Sequence, residues 1–266
     1  MKRLFALLAA LTLVTGFAAA QDDEGIGLSA GLEFNIYDVN NEPLPELTAL
    51  LIYENSFLDG DLDLYAELDY YIGFKKENDK LPMGLYFDFC IGYNLGIGSS
   101  STLSFILENE NDSFQFTPWF DASTNISGVL KPGIRFTQEI TSVGELYAQV
   151  DLPLWYTADP FGVGIDVIVG WDSTFGLGIK LKEHNTIRPG AGYDGLDIIV
   201  SYENGPIYAE VEVDTYSDMG EDGVSIIPEF DYSFKAFTFY VKCTFDGVGS
   251  DPGVSISPGL GIKYSF

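Results

Sequence analysis

The sequence predicts an all-β protein of 266 residues. Three observations lead to this prediction: apolar and polar residues alternate along much of the chain, no segment has a convincing helical period, and the turn sequences shift the phase of the alternation as hairpins require. The clearest alternation runs from Ile256 to Phe266, where every second residue is apolar and the others are Ser, Gly or Lys. A strand of this kind has one apolar face and one polar face.

Fourteen segments are predicted to be strands. In chain order they cover residues 26–36, 62–74, 85–97, 103–107, 114–122, 130–136, 146–154, 161–171, 175–181, 196–202, 207–213, 224–234, 237–245 and 256–266. A fifteenth candidate, Leu47–Tyr53, is assigned instead to a long outer loop that spans Asp38 to Gly60. Counts of 12 or 16 strands remain possible. Five prolines that cannot donate a ladder hydrogen bond fall inside the predicted strands: Pro118, Pro132, Pro153, Pro228 and Pro258.

The turns give an independent test of the alternation. A two-residue hairpin loop reverses the phase of the apolar face, and a three-residue loop keeps it. The phase reverses at Asn204-Gly205 and across Lys235-Ala236, and it is kept across residues 172–174. Aromatic residues flank these turns, as in the interfacial girdle of a membrane barrel: Trp171, Phe175, Phe234 and Phe237.

Connection lengths predict the topology. Tight turns alternate with longer polar connections at residues 182–195, 217–223 and 246–253, and this asymmetry is typical of transmembrane β-barrels. We therefore expect a closed antiparallel transmembrane β-barrel of about 14 strands, with long loops outside and the N-terminus on the periplasmic side. A secreted β-sandwich or soluble barrel would also alternate, but its apolar face would pack inward.

The C-terminal strand carries a resemblance to a known class. Its terminal Phe266, Tyr264 two residues earlier and the alternation upstream resemble the assembly signal of outer-membrane β-barrel proteins of diderm bacteria, which include the porins. The resemblance implies that outer-membrane lipid surrounds the barrel. It also implies that the barrel-assembly machinery inserts it through the last strand.

The N-terminal residues have the features of a cleaved signal peptide. Lys2-Arg3 precede an apolar stretch from Leu4 to Val14, and small residues end at Ala20. The apolar run is shorter than the roughly 20 residues that a spanning helix needs. We expect residues 1–20 to be removed during export and residues 21–266 to form the barrel domain in the bacterial outer membrane.

Composition excludes several classes of function. A hydrophobic content of 46% is too high for a disordered chain. The 40 acidic residues against 13 basic ones give a net charge of −27, which does not suit nucleic-acid binding. Cys90 lies in the polar phase of its strand and Cys243 in the apolar phase of its own, so we expect two unpaired thiols on opposite faces.

No motif supports an enzyme, a cofactor or a metal site. Gly27–Gly31 matches the G-x-S-x-G pattern around Ser29, but that motif needs a strand-to-helix turn and a histidine partner. The only histidine, His184, is expected in a loop. One loop histidine and two cysteines on opposite faces cannot form a zinc site.

Charges on the polar face suggest the function. The predicted pore-lining acidic residues are Asp61, Asp63, Glu67, Asp69, Asp88, Glu210, Glu212, Asp214, Glu229 and Asp231. The predicted pore-lining basic residues are Lys131, Arg135, Lys180 and Lys182, and Lys242 and Lys263 break the separation of charge. Two charged walls that face each other across water resemble the constriction of general porins. Alternatively, these charges could simply satisfy one another.

The resulting hypothesis is a passive, cation-preferring channel for small hydrophilic solutes. The alternative is a non-conducting structural or surface-binding barrel, adhesin-like, that acts through its extracellular loops.

Overall fold

The computed structural model describes residues 27–37, 39, 43–74, 83–115, 125–155, 162–186, 194–218, 221–249 and 253–265. The strands are β1 (Gly27–Tyr37), β2 (Leu44–Phe57), β3 (Leu62–Gly73), β4 (Met83–Gly96), β5 (Ser101–Gln115), β6 (Asn125–Ile140), β7 (Gly144–Asp151), β8 (Leu154–Trp155), β9 (Gly162–Ser173), β10 (Leu177–Thr186), β11 (Asp194–Asn204), β12 (Ile207–Asp218), β13 (Glu221–Phe234), β14 (Phe237–Asp246) and β15 (Ser255–Ser265). The expected signal peptide and Phe266 lie outside the described residues. No helix in the described ranges is long and apolar enough to cross a membrane.

The strands form one closed antiparallel barrel. Apart from the short β8, each strand pairs with the strands that precede and follow it in the chain, and β1 closes the wall by pairing with β15, from Ser29 opposite Ser265 to Asn35 opposite Gly259. The two-residue β8 continues β7 beyond Pro153, and both segments pair with β6 on one side and β9 on the other. The wall therefore has fourteen strands, which confirms the predicted fold class.

The strand count agrees with the sequence prediction only because two errors compensate. The first concerns β2: the predicted outer loop Asp38–Gly60 contains a strand that pairs along its whole length with β1 and β3. The alternation was obscured because Leu50 and Ile52 occupy the inward phase, opposite Gly31 and Ser29 of β1. Apolar residues on both faces remove the period-two pattern.

The second error concerns β5. Residues 103–107 and 114–122 were predicted as two strands, but residues 101–115 form one strand that pairs with β6. The polar run Glu108-Asn-Glu-Asn-Asp112 lies between the two predicted strands, whereas the observed strand passes through it with an irregularity between Glu110 and Ser113. Residues 116–122 lie outside the described residues.

The prolines mark local interruptions. Pro153 separates β7 from β8, and the pairing of β13 with β14 skips Pro228. Pro132 and Pro258 remain in register, opposite Leu107 and Cys243. Pro118 lies outside the described residues.

The two ends of the barrel have different connections. At one end, called here the tight-turn end, the connections are two to four residues long. They join β2 to β3, β4 to β5, β6 to β7, β9 to β10, β11 to β12 and β13 to β14. The predicted two-residue turn between Phe234 and Phe237 is present. The two-residue turn predicted at Asn204-Gly205 lies one position later, at Gly205-Pro206, because Asn204 pairs with Ile207. The three-residue turn after β9 is residues 174–176, two positions later than predicted. The start of β1 and the end of β15 also lie at the tight-turn end.

The opposite end, called here the long-loop end, has longer connections, but two of them are shorter than predicted. The connection expected at residues 217–223 is a two-residue link, because Asp218 pairs with Glu221. The connection expected at residues 182–195 starts later, because β10 continues to Thr186. The connection after β14 is long, as predicted.

The distribution of apolar and polar side chains between the outside and the inside is the inverse of that in a soluble protein. Large apolar side chains are exposed on the outer face, with Val241 and Leu260 each 58% exposed. Among the described residues, the buried hydrophobic side chains are only Tyr71, Val129 and Ile168, whereas ten polar or charged residues are buried. A soluble β-sandwich would bury its apolar face. The apolar face of this barrel points outward.

Candidate functional site: the inner face of the barrel

The structure places most of the predicted acidic residues on the inner face of the wall. Asp63, Glu67 and Asp69 lie on β3, Asp88 on β4, Glu210, Glu212 and Asp214 on β12, and Glu229 and Asp231 on β13. All occupy the phase opposite the exposed apolar side chains. Asp61 differs, because it caps the turn before β3 and is exposed at the tight-turn end.

Two further inward carboxylates lie between these two groups of strands in the closed wall, on β1 and β2. Glu33 lies on β1, where it accepts a hydrogen bond of 2.7 Å from the hydroxyl of Tyr240 on β14. Glu46 lies on β2 and accepts a hydrogen bond from the hydroxyl of Tyr37. Neither residue is among the predicted pore-lining residues. The phase of Glu33, between Leu32 and Phe34, indicates an inward side chain, whereas Glu46 lies in β2, which the alternation does not predict as a strand. We call the inward carboxylates of β12, β13 and β1–β4 the acidic sector.

Carboxylates in the acidic sector lie directly opposite one another. Glu67 pairs with Asp88 across β3 and β4, and Glu210 pairs with Glu229 across β12 and β13. Like charges in such positions are destabilising. Tyrosine hydroxyls offset part of this cost, because Tyr65 donates to Glu67 and Tyr208 donates to Glu210, each from two residues earlier on the same strand.

Few cations compensate the acidic sector. Within β12–β15 and β1–β4 the basic residues are Lys242 and Lys263. The Lys242 Nζ lies 3.9 Å from Glu229 Oε2, and both side chains are partly exposed, so the pair is screened by water. This part of the inner face therefore has a surplus of negative charge.

The predicted basic residues lie on the opposite arc, Lys131 and Arg135 on β6 and Lys180 and Lys182 on β10. Three buried inward carboxylates accompany them: Asp151, Asp166 and Asp197, each at most 5% exposed. Lys182 Nζ lies 4.0 Å from Asp166 Oδ2. This arc is a mixed sector of opposite charges rather than a positively charged wall.

His184 belongs to this mixed sector and not to a loop, which corrects the sequence expectation. It lies on β10, is buried, and contacts carboxylates on both sides: Nδ1 is 3.0 Å from Asp166 Oδ1 on β9, and Nε2 is 2.8 Å from Asp197 Oδ2 on β11. An imidazole can donate from both nitrogens only as the imidazolium. As the imidazolium, His184 is a cation between carboxylates of the two neighbouring strands.

Arg135 is held in a fixed orientation by its neighbours. Its Nε donates a hydrogen bond of 2.6 Å to Gln149 Oε1, and Gln149 Nε2 donates to both carboxylate oxygens of Asp151 at 2.8 Å. The guanidinium carbon lies 4.9 Å from the centre of the Tyr147 ring. The sequence could not show this chain of contacts, because it depends on the register of β6 against β7.

A cavity of about 280 Å³ lies beside Arg135 on the inner face. It extends over β3–β7, and its lining consists of Asp63, Leu64, Tyr65, Cys90, Gly92, Asn94, Ser104, Ile106, Glu108, Arg135 and Gln149. Gly92 pairs with Ile106 within this lining, and most of the other lining residues are polar.

The other residues considered for catalysis or metal binding are Ser29 and the two cysteines, and all three lie in strands of the wall. The Ser29 hydroxyl lies 3.1 Å from the Ser265 hydroxyl across the closure of the barrel, in a regular strand. Cys90 lines the cavity, whereas Cys243 lies on the outer face opposite Pro258, and both thiols are free. Among the described residues, no group of three or more His, Cys, Asp or Glu side chains could hold a metal ion.

Comparison with solved structures shows that the fold resembles bacterial outer-membrane porins. OmpF of Salmonella typhi matches 91% of this chain and 97% of its own, with a TM-score of 0.52 and 11% sequence identity. OprB of Pseudomonas putida matches 92% of this chain and 94% of its own, with a TM-score of 0.50 and 9% identity. No protein-family model matches the sequence, and no curated protein does. The likeness is therefore one of fold.

Proposed function

We propose that this chain is a porin-like channel of the bacterial outer membrane, through which small hydrophilic solutes and cations diffuse passively. The observation that carries the proposal is the inverted polarity of a closed barrel. Exposed apolar side chains cover its outer face, and charged side chains line its inner face.

The outer face suits a lipid environment. Unpaired strand edges are not tolerated in lipid, and the pairing of β1 with β15 removes them. Aromatic residues cluster at the tight-turn end, where Trp171 contacts Phe175 and Phe237 contacts Tyr264. Such a cluster is expected where a barrel meets the membrane interface. The fold likeness to OmpF and OprB is consistent with this location.

The acidic sector supports a preference for cations. Carboxylates along a pore raise the local concentration of cations and exclude anions. The mixed sector does not balance this charge, because its basic residues are accompanied by Asp151, Asp166 and Asp197. A passive channel needs neither a cofactor nor a catalytic group, and we propose no enzymatic activity.

Export and insertion complete the proposal. A cleaved signal peptide, residues 1–20, would direct the chain across the inner membrane. The barrel-assembly machinery would recognise β15 together with Tyr264 and Phe266.

Reversal potentials in a KCl gradient across a planar bilayer test the proposal. The wild-type channel should prefer cations, and the triple variant E210Q/E212Q/D214N should have a lower cation-to-anion permeability ratio. Neutralising Lys131 and Arg135 should raise that ratio. Glu183 is exposed in the outward phase of β10, so E183Q is the matched control and should leave the ratio unchanged.

Two outcomes would contradict the proposal. Anion preference of the wild-type protein would exclude a cation channel. A correctly folded barrel without conductance would favour the surface-binding alternative.

A further inference from the structure

Asp197 and Asp214 are two carboxylates that face each other on the inner wall. Asp197 lies on β11 and Asp214 on β12, directly opposite in the register of the two strands. Residues in such positions have Cβ atoms about 4.5–5.5 Å apart. The two carboxyl groups are within hydrogen-bond reach of each other, and Asp197 is only 5% exposed. Like charges so close and so enclosed need a compensating positive charge.

The hydrogen bonds of this pair are incomplete. The Oδ1 atoms of Asp197 and Asp214 are both buried, and neither has a hydrogen-bond donor among the described residues. The nearest cations are directed elsewhere: His184 lies between Asp166 and Oδ2 of Asp197, and Lys182 Nζ is 4.0 Å from Asp166. Within the described part of the chain, Asp214 therefore has no ion-pair partner within 4 Å.

The other groups that surround Asp214 do not supply the missing charge. The next inward residue on β12 is Glu212, which is itself acidic. On the other side, β13 places Ser225 opposite Asp214, and the Ser225 hydroxyl donates to Asp246 of β14 at 2.6 Å. The inward lysines of β10 and β14 that are not yet named here, Lys180 and Lys242, are each two strands away from β12.

A proton is the cation that suits the position between the two Oδ1 atoms. Hard metal ions such as Ca²⁺ take about 6–8 oxygen ligands, and waters often provide part of this shell. The two Oδ1 atoms are closed to solvent, so water cannot complete a shell around an ion that they bind. A proton needs only these two oxygens, one as the donor and the other as the acceptor.

We propose that Asp214 is protonated at neutral pH and donates a hydrogen bond to Oδ1 of Asp197. The proton resides on Asp214 because the imidazolium of His184 stabilises Asp197 in its ionised form. Two carboxyl groups that share one proton titrate as a pair, and this pair carries a single negative charge at neutral pH.

The shared proton makes the charge of the inner face depend on pH. At alkaline pH the proton leaves Asp214, the pair gains a second negative charge, and the cation preference of the channel should rise. Discharge of His184 adds to this rise in the same direction. The change in selectivity rests on the proposed channel function, whereas the proton on Asp214 does not.

Infrared spectra of the detergent-purified barrel at neutral pH test for the proton directly. A protonated carboxyl group has a C=O stretching band that carboxylates lack, and this band shifts in D₂O. D214N should remove the band by the intensity of one carboxyl group. D63N is the matched control, because both oxygens of Asp63 accept hydrogen bonds, from Ser56 and from Asn94. Its difference spectrum should show a loss of carboxylate bands only.

Reversal potentials give a second readout. D214N replaces a neutral acid by a neutral amide that can also donate to Asp197, so it should leave the cation-to-anion permeability ratio unchanged at neutral pH. E210Q, on the same face of the same strand, should lower that ratio. At alkaline pH the ratio should rise in the wild type and rise less in D214N, where only the discharge of His184 contributes from this cluster. Heat-modifiable electrophoretic mobility checks that each variant is folded.

A D214N difference spectrum that shows only the loss of a carboxylate would overturn the proposal, and so would a lower permeability ratio of D214N at neutral pH. If D214N does not fold, the wild-type spectrum still decides, because absence of any protonated-carboxyl band at neutral pH would also overturn it. The spectra do not require conduction. A barrel that shows the band without conducting would refute the channel and leave the proton standing, and a cation channel without the band would do the reverse.

Discussion

The two ring nitrogens of His184 contact carboxylates of β9 and β11, so this side chain connects three strands. Asp166 and Asp197 are almost fully enclosed, and each has one carboxylate oxygen without a hydrogen-bond partner among the described residues. Removing the cation leaves the buried charge of Asp197 without its ion-pair partner and leaves Asp166 with only Lys182, at 4.0 Å. The cost is typically about 3–5 kcal/mol.

We therefore expect H184L to lower the free energy of unfolding by about 3–5 kcal/mol, as measured in urea with the barrel in detergent. D166N/D197N in the H184L background should recover part of the loss, because neutral amides no longer need the cation. If H184L and the wild type unfolded at the same urea concentration, the ionic bridge would be refuted.

The two native cysteines provide a second test at the residue scale. Cys90 lies on the inner face and Cys243 on the outer face. In lipid vesicles, a charged methanethiosulfonate should modify Cys90 and lower the conductance, whereas a lipophilic maleimide should prefer Cys243. C90S and C243S are the matched variants that assign each reaction. Modification of Cys243 by the charged reagent alone would reverse the assignment of the two faces.

The sequence predicted which face Arg135 and the two cysteines occupy, but it placed His184 in a loop and did not show the partners of Arg135 or His184. The phase of the alternation places Arg135 inward, and phase can be read from one strand. The contact of Arg135 with Gln149, and that of His184 with Asp166, depends on how two strands are aligned. One sequence contains no direct signal for that register.

At the scale of single strands, β15 shows the strongest separation of faces. Leu260 is exposed on the outer face, whereas Ser257 lies opposite Thr244 in the inward phase. An arginine on the lipid face near the bilayer midplane costs about 2–4 kcal/mol. L260R should therefore reduce the yield of heat-modifiable barrel in the membrane fraction.

S257R is the matched control for L260R, because it adds the same side chain to the same strand in the inward phase. Its yield should remain close to that of the wild type. A greater loss in S257R than in L260R would invert the two faces of β15.

The two misassigned regions show when strand prediction from alternation fails. In β2, inward Leu50 and Ile52 make both faces apolar; in β5, the run from Glu108 to Asp112 interrupts the apolar face. The backbone of β2 pairs regularly with β1 and β3, and the backbone of β5 pairs with β6 on both sides of a register shift between Glu110 and Ser113. Pairing depends on main-chain groups, so a strand within a closed wall can continue where its side chains lack the pattern.

At the scale of the whole molecule, the surplus of acidic residues predicts salt-dependent selectivity. The Debye length decreases from about 10 Å at 0.1 M to about 3 Å at 1 M ionic strength. The cation preference should therefore decrease in KCl gradients of higher mean concentration. The E210Q/E212Q/D214N variant should show a smaller dependence on salt, and a wild-type preference that does not change with salt would exclude control by the acidic sector.

The seam between β1 and β15 determines the order in which the barrel can form. Ser29 pairs with Ser265, 236 positions later in the chain, so β1 cannot pair with β15 until the last strand has been synthesised. Contacts between such distant residues form late and slow folding. Until then the edges of β1 and β14 are open templates for pairing with other chains. The chain is therefore most prone to aggregation before the wall closes.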